Sequence, residues 1–353
     1  MKFRVIAILM AVFLLLIFTG HMLQATVASL TSVRYINKKG VAINKTPFDS
    51  GAAFSEGLAQ VRVGALSGYI DTSGKMVIKP QFEHSSSFSE GLALVQQGKL
   101  WGYIDKTGKF ALPPQFSQAA PFSDGLASVT KGGKWMFIDK AGNPIFEVPQ
   151  GLPSSFSEGL ALNSLSSKCG YMDKTGKLAI PRKFDQALRF SEGLAAVKVE
   201  GRWGYIDKTG QFAITPQFEE ASPFADGLAL ITLNGVQGYV DKTGNLAIRP
   251  QFQRALNFSE GLAAVEVEGK WGYIDKTGKT VIKPQFSWAQ NFAEGVAVVK
   301  LDRQYQRAII DRTGKTIHQF TMHFADARFH DGLLRIGMQK VTGGGRLPPA
   351  KRK

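Results

Sequence analysis

Short apolar segments alternate with turn residues along the chain, and the same order of segments returns many times. A clear copy covers residues 192–224, EGLAAVKVEGRWGYIDKTGQFAITPQFEEASPF. Its apolar runs and alternations predict strands over residues 194–199, 203–207 and 211–214. An Asp-Lys-Thr-Gly turn separates the second strand from the third, since Asp accepts hydrogen bonds from the amides ahead of it and Gly allows a positive φ. The third strand is expected to stop at Pro216.

The rest of this copy is a connector that carries Phe218, Ala221 and Phe224 three residues apart. That spacing predicts a short helical turn or a packed loop. Most copies carry two Phe at these positions: Phe48/Phe54, Phe82/Phe88, Phe116/Phe122, Phe184/Phe190, Phe252/Phe258 and Phe286/Phe292. Because Phe has no polar group and is usually buried, we interpret these residues as core contacts between units, in preference to a ladder that stacks sugars or bases.

The whole unit recurs with a period of 34 residues. An acid that opens the turn recurs at Asp71, Asp105, Asp139, Asp173, Asp207, Asp241, Asp275 and Asp311, and Asn37 holds the same place in a degenerate first copy. A second acid, always followed by Gly, recurs in phase at Glu56, Glu90, Asp124, Glu158, Glu192, Asp226, Glu260, Glu294 and Asp331. A unit this small cannot bury its apolar face alone, so neighbours must stack. The predicted fold class is all-β, a tandem array of about nine three-stranded meander repeats over residues 29–338.

The first and last repeat units are incomplete in complementary ways, because each has the strand that the other lacks. The ordered chain is expected to begin with a second strand near residues 33–36 and to end with a first strand near residues 333–338. Joined together, they would complete a ninth unit and close a ring like a β-propeller. Propeller blades usually have four strands and number four to eight, so an open β-superhelix stays equally compatible with the sequence.

The run Trp-Gly-Tyr-Ile-Asp-Lys-Thr-Gly, intact at residues 101–108, 203–210 and 271–278, resembles the WG-repeat (KWG repeat) family of bacterial proteins. With the Pro-Gln-Phe and Phe-Ser-Glu-Gly-Leu-Ala segments, the resemblance covers residues 33 to about 338. It implies a β-rich repeat protein that is commonly exported, and it carries no catalytic residues. Several copies depart from the motif, with Trp replaced by Ser67, Cys169, Gln237 and Arg307, and Gly by Met136 and Ala308.

Both ends of the chain differ in composition from the repeats. Residues 1–28 resemble an export signal, with Lys2 and Arg4 ahead of an apolar run at 5–18 and small residues at a predicted cleavage site, 26–28. The run is short for a membrane span, which needs about 20 residues, so a cleaved signal is favoured over an uncleaved N-terminal anchor. The tail, residues 339–353, is expected to be a flexible basic extension. The predicted location is periplasmic or extracellular, with membrane attachment only through an uncleaved N-terminal segment.

Composition narrows the possible chemistry. The 353 residues include 43 Lys and Arg against 28 Asp and Glu, a formal net charge of +15, and a single Cys. One Cys excludes an internal disulfide and a zinc site built on paired thiolates. The basic excess suggests an anionic partner, although a nucleic acid is not expected because export is predicted and the chain lacks an exposed aromatic-basic motif.

The turns supply the candidate ligand-binding residues, a basic ridge for an anionic polymer or lipid headgroups. Its members are Lys106, Lys109, Lys140, Lys174, Lys177, Lys208, Lys242, Lys276, Lys279, Arg312 and Lys315. A solvated row of hairpin tips, whose charges prevent edge-to-edge aggregation, is the favoured alternative. The repeated acid-Gly pairs are interpreted as turn caps before a strand and not as a metal site, because calcium needs several oxygens converging on one ion.

These patterns indicate an exported, non-enzymatic repeat protein that acts as a binding or scaffold module for a protein or an anionic envelope component. No cofactor and no metal are expected. The alternative is a hydrolase-like enzyme with its site in the irregular last repeat, where His318, His323 and His330 lie near Asp326 and Asp331 in the sequence. Their spacing matches no familiar metal or catalytic set.

Overall fold

A computed structural model describes residues 31–148, 152–302, 306–321 and 329–339, which form 35 strands joined by turns and no helix. Eight sheets have four antiparallel strands in chain order, here a, b, c and d, and a ninth sheet joins the two ends of this region. We number these sheets as blades 1 to 9. Within the described residues, no helix is long and apolar enough to cross a bilayer.

The strand bounds repeat from blade to blade. Blade 1 holds β2 (Ser50–Gly51), β3 (Leu58–Val63), β4 (Leu66–Asp71) and β5 (Met76–Phe82), and blade 2 holds β6 (His84–Ser85), β7 (Ala93–Gln97), β8 (Leu100–Ile104) and β9 (Phe110–Phe116). Blade 3 holds β10 (Gln118–Ala119), β11 (Ala127–Lys131), β12 (Lys134–Ile138) and β13 (Pro144–Glu147), and blade 4 holds β14 (Leu152–Ser157), β15 (Leu160–Leu165), β16 (Lys168–Asp173) and β17 (Leu178–Phe184). Blade 5 holds β18 (Gln186–Ala187), β19 (Ala195–Val199), β20 (Arg202–Ile206) and β21 (Phe212–Phe218), and blade 6 holds β22 (Glu220–Ala221), β23 (Leu228–Leu233), β24 (Val236–Asp241) and β25 (Leu246–Phe252). Blade 7 holds β26 (Arg254–Ala255), β27 (Leu262–Val267), β28 (Lys270–Asp275) and β29 (Thr280–Phe286), and blade 8 holds β30 (Trp288–Ala289), β31 (Val296–Lys300), β32 (Gln306–Asp311) and β33 (Thr316–Thr321).

Blade 9 closes the ring. It combines β34 (Phe329–His330) and β35 (Leu333–Gln339) with β1 (Thr31–Asn37) from the other end of the chain. β1 and β35 pair antiparallel over seven residues, from Thr31 opposite Gln339 to Asn37 opposite Leu333. The array is therefore a closed, nine-bladed β-propeller, and the complementary frames at the two ends of the repeat region are explained by this shared blade.

The connector is where the sequence prediction was wrong in detail. Phe218 ends β21, and Ala221 lies in the two-residue strand β22, so the connector supplies a fourth strand to the next sheet instead of a helical turn. Pro216 lies inside β21 and does not stop it. The strand bulges there, because Trp203 pairs with Phe218 while Tyr205 pairs with Ile214. A bulge frees Pro from donating a ladder hydrogen bond.

The core lies between adjacent blades. Trp203, Tyr205 and Phe218 of blade 5 pack with Phe224 and Ile231 of blade 6 in one buried cluster, and equivalent clusters follow around the ring. The connector Phe residues are buried as predicted, apart from the partly buried Phe48. A single blade would expose this surface, so the apolar packing depends on neighbours on both sides.

The Gly of the Trp-Gly pair allows the bulge to pack. A Cβ built on Gly204 would lie 2.6 Å from the Ile214 carbonyl oxygen and 2.7 Å from the Pro216 nitrogen. Where Met136 or Ala308 replaces this Gly, the residue is itself paired in the ladder, with Glu147 and Gln319 respectively, and the wide bulge at this position is absent. The Trp-Gly and Pro-Gln-Phe motifs therefore belong to one structural feature.

Candidate functional site

The ring has two ends, which we call the turn end and the hairpin end. Because Leu58 pairs with Asp71, the turn between strands a and b lies beside the turn between strands c and d. These two turns form the turn end in every blade. The hairpins between strands b and c, such as Val63 to Leu66, form the hairpin end together with the links from one blade to the next.

The c–d turn is built around its Asp. In blade 5, Asp207 Oδ1 accepts hydrogen bonds from the Thr209 hydroxyl (2.6 Å), the Thr209 amide (2.9 Å) and the Gln211 amide (3.1 Å). The Thr209 hydroxyl, with these amides, holds the pKa of the Asp207 carboxyl below its ordinary value, against a smaller opposing effect of burial. The predicted hydrogen bonds from the amides ahead of the Asp in this turn are confirmed.

The second set of acids, the acid-Gly pairs, links the blades. Their interpretation as turn caps was wrong, because each carboxylate accepts a hydrogen bond from the next blade and not from its own turn. Glu192 has a positive φ of 53°, and its carboxylate accepts a hydrogen bond from the Gly227 amide of the next blade at 3.0 Å. The same bond joins every pair of neighbours: Glu56–Gly91, Glu90–Gly125, Asp124–Gly159, Glu158–Gly193, Glu192–Gly227, Asp226–Gly261, Glu260–Gly295, Glu294–Gly332 and Asp331–Gly57. Nine acids thus form an unbroken circle of bonds.

In most blades the basic residue that follows the turn Asp reaches this circle. Lys242 Nζ lies 3.1 Å from the Glu192 carboxylate, one blade back. The other ion pairs of this type are Lys38–Glu294, Lys106–Glu56, Lys140–Glu90, Lys208–Glu158 and Arg312–Glu260. Burial acts to raise the pKa of Glu56, but hydrogen bonds from the Gly91 amide and from Lys106 outweigh it and hold the pKa below its ordinary value.

The structure divides the candidate basic ridge into two groups. Lys106, Lys140, Lys208, Lys242 and Arg312 form these ion pairs, Lys174 donates to the Asp124 carbonyl oxygen at 2.6 Å, and Lys276 holds the equivalent turn position. Lys109, Lys177, Lys279 and Lys315 are exposed at the second basic position, and none of the ion pairs found among the described residues includes them. Anion binding by the ridge remains a prediction, and the exposed group is the part available for it.

Two further side chains bond across the same seam. Ser191 Oγ donates to the Phe224 carbonyl oxygen at 2.8 Å, and the buried Tyr205 hydroxyl donates to the Ser222 carbonyl oxygen at 2.8 Å. Seven blades carry the Tyr bond and six the Ser bond. Sequence reasoning missed these roles, although the regular recurrence of Ser before Glu-Gly was a visible signal.

The repeated unit matches a known sequence profile. The profile of the WG containing repeat matches six segments, residues 68–101, 101–135, 170–203, 203–236, 238–271 and 271–305, more than half of the chain. The protein belongs to the WG-repeat family. Comparison with curated proteins finds no match.

The WG-repeat ring was also compared with solved structures. A eukaryotic initiation factor structure matches with a TM-score of 0.59 at 11% identity, over 88% of this chain and 100% of that chain. The structure of apo AztD from Citrobacter koseri matches with a TM-score of 0.42 at 14% identity, over 88% and 100% of the two chains. At such identities the first likeness extends to the fold alone.

The described candidate residues of the irregular last repeat have separate contacts. His318 stacks on Phe320 with ring centroids 6.1 Å apart, while Asp331 bonds to the Gly57 amide. His323 and Asp326 lie outside the described residues. Among the residues that are described, no group of three His, Cys, Asp or Glu side chains is placed to hold a metal ion. Cys169 is half-buried, with Sγ 3.3 Å from Ser164 Oγ.

Proposed function

We propose that this WG-repeat protein is an exported, non-enzymatic binding or scaffold module that contacts a protein or an anionic component of the cell envelope. One observation carries the proposal: three polar side chains that recur in most units, an acid, a Ser and a Tyr, bond to the neighbouring blade. Glu192, Ser191 and Tyr205 all do so in blade 5. The repeat therefore builds a fixed ring, and its variable positions are left for recognition.

The charge distribution supports an anionic partner. At the turn end, the a–b and c–d turns of the nine blades carry 17 acidic and 14 basic residues. The rest of the described residues include 20 basic and 10 acidic side chains. The cation excess thus lies outside the turns, and the exposed turn lysines are embedded among acids that weaken their attraction for an anion.

A salt-dependent pull-down tests the anionic contact. The purified chain is incubated with envelope material over a salt series from about 50 to 500 mM, because screened attraction weakens over this range. The ridge predicts that replacing Lys109, Lys177, Lys279 and Lys315 by Gln lowers retention at low salt. A matched variant replaces Lys79, Lys183, Arg249 and Lys283 on the d strands by Gln. Unchanged retention in the first variant eliminates the ridge, and unchanged retention in both, together with salt-independent binding, eliminates the anionic partner and leaves a protein partner.

A reporter fusion tests export. Residues 1–28 are fused to an enzyme that is active only outside the cytoplasm, with a control in which Lys2 and Arg4 become Glu. Active fusion with an N-terminus at residue 29 would support a cleaved signal. An inactive fusion would refute export, whereas an active but uncleaved one would identify an anchor.

The non-enzymatic part of the proposal is supported by the placement of Asp331 in the closing blade-to-blade bond. Chromogenic ester, phosphate and glycoside substrates test it directly. Turnover by the purified chain that His318→Ala or His330→Ala abolishes, with folding retained, would overturn it in favour of an enzyme in the last repeat.

A further inference from the structure

Both chain ends leave the propeller at the hairpin end. Thr31 and Gln339 face each other at the last pair of the β1–β35 ladder. They stand where the other blades have the tip of the b–c hairpin, so the chain before Thr31 and the chain after Gln339 start side by side. The first includes the apolar run at residues 5–18, and the second, residues 340–353, contains five basic residues and no acid.

The hairpins of blades 1 and 2 present apolar side chains at this same end. Blade 1 adjoins blade 9, as the bond from the Gly57 amide to Asp331 shows. Its hairpin tip, Val63-Gly64-Ala65-Leu66, is uncharged, and Val63 and Leu66 are 47% and 37% exposed. In blade 2, Leu100 is 41% exposed beside Lys99.

The polar groups around these tips are occupied within the protein. Arg62 donates to the carbonyl oxygens of Gly64 (3.2 Å) and Ala65 (2.7 Å). Asp49 accepts from the Gly64 amide at 2.8 Å, and Glu83 accepts from the Gly98 amide at 3.3 Å. The charges of Arg62 and Lys99 offset those of Asp49 and Glu83, so the surface turned outward is locally neutral and apolar.

We propose that the hairpin end of blades 1 and 2 docks on an anionic lipid bilayer, with Val63, Leu66 and Leu100 entering the interface. Apolar side chains on a neutral tip suit the headgroup boundary, and the five basic residues that follow Gln339 in the sequence add electrostatic attraction to anionic lipid. The inference rests on the proposed function and names the envelope component as anionic lipid. It also goes beyond the sequence analysis, which placed a lipid contact only on the turn lysines or on an uncleaved N-terminal segment. The acid-rich turn end faces away from the lipid in this arrangement.

Site-specific fluorescence tests the orientation in the full chain. In a Cys169→Ser background, a polarity-sensitive dye is attached at Leu66→Cys, at Thr72→Cys on the turn end, or at Leu246→Cys on a d strand, where Leu246 is 41% exposed. Vesicles of phosphatidylcholine with or without phosphatidylglycerol carry spin-labelled lipid as quencher. We expect a blue shift and quenching at position 66 alone, and only with phosphatidylglycerol. Equal quenching at all three positions, or none at position 66, would overturn the docking surface.

The second test measures the partition of the protein between water and lipid vesicles. The triple variant Val63→Ser, Leu66→Ser, Leu100→Ser is expected to bind phosphatidylglycerol vesicles about tenfold more weakly, from the apolar area it removes. The matched variant Leu178→Ser, Leu246→Ser removes similarly exposed side chains from the d strands and should bind unchanged. Equal binding by both variants refutes the inference. Salt-sensitive capture of another envelope component would show that the broader proposed function survives such a result.

Discussion

Replacing Gly204 by Ala is a direct test of how the repeat motif specifies a blade. The added Cβ would meet three backbone atoms, the Ile214 oxygen at 2.6 Å, the Pro216 nitrogen at 2.7 Å and the Thr215 carbon at 2.8 Å. Backbone atoms cannot rotate away as side chains can, and the ladder holds this bulge on both sides through Trp203 and Tyr205. Relief therefore requires a shift of strand β21, and overpacking of this kind costs about 1–3 kcal/mol. Gly204 does not have a positive φ, so the whole loss would be steric.

The assay is chemical unfolding followed by far-UV circular dichroism, together with hydrogen exchange resolved by blade. We expect a lower midpoint and faster exchange in blade 5 and its two neighbours, because repeat stability depends on nearest-neighbour contacts. Ala308→Gly is the matched control, since Ala308 pairs regularly with Gln319 and its Cβ meets no bulge. Because Ala308 is fully buried, removing that methyl should cost about 1–2 kcal/mol through lost apolar burial and backbone entropy. A Gly204→Ala protein as stable as the native chain would refute the link between the Trp-Gly pair and the bulge.

Three further predictions concern the bonds between and within blades. Tyr205→Phe removes the hydrogen bond to Ser222 and should cost about 1 kcal/mol of stability at neutral pH. Because burial raises the pKa of Tyr205 above its unfolded value of about 10, the native protein should lose stability as the pH rises above 10. Unfolding and phenolate absorbance should show a less steep loss in the variant. The Thr209 hydroxyl lowers the pKa of Asp207, so the stability that the Asp207 carboxylate contributes is present above its unfolded pKa of about 4 and is lost as the pH falls through its folded pKa. Asp207→Asn should therefore make stability depend less on pH in acid. An unchanged pH dependence in urea titrations below pH 5 would contradict this. Thr72→Lys places a lysine opposite Asp331 at the closing seam and should add at most about 1 kcal/mol at low salt, an increase that vanishes at high salt if the reasoning holds.

Periodicity alone was sufficient to predict the all-β class, the unit length and the number of units. It also predicted buried connector Phe residues, which lie between blades. The fourth strand escaped prediction because β22 has only two residues, Glu220 and Ala221, too few for a hydrophobic alternation. The predicted strand end at Pro216 was wrong for a related reason, since a bulge tolerates proline where a regular ladder does not.

Ring closure could not be predicted because neither end of the repeat region identifies its partner by pattern. β1 and β35 are complementary halves of one blade, but the same frames would arise in an open array with incomplete end units. The register from Thr31–Gln339 to Asn37–Leu333 and the bond from Gly57 to Asp331 decide the question. In physical terms, closure satisfies two strand edges that an open array would leave exposed.

The lysine-bearing turns show why recurrence is a poor guide to binding in a repeat protein. Lys242 and Glu192 are 50 residues apart, so their ion pair is invisible within a single unit and appears only when neighbours stack. A charged residue that recurs in phase is placed equally well to meet a ligand or the next unit, and the next unit is always present at a fixed distance. Residues confined to one or two copies, such as Leu66 and Leu100 on the hairpin tips, have no such built-in partner in the described ring. Recognition by this protein is therefore to be sought where the copies differ.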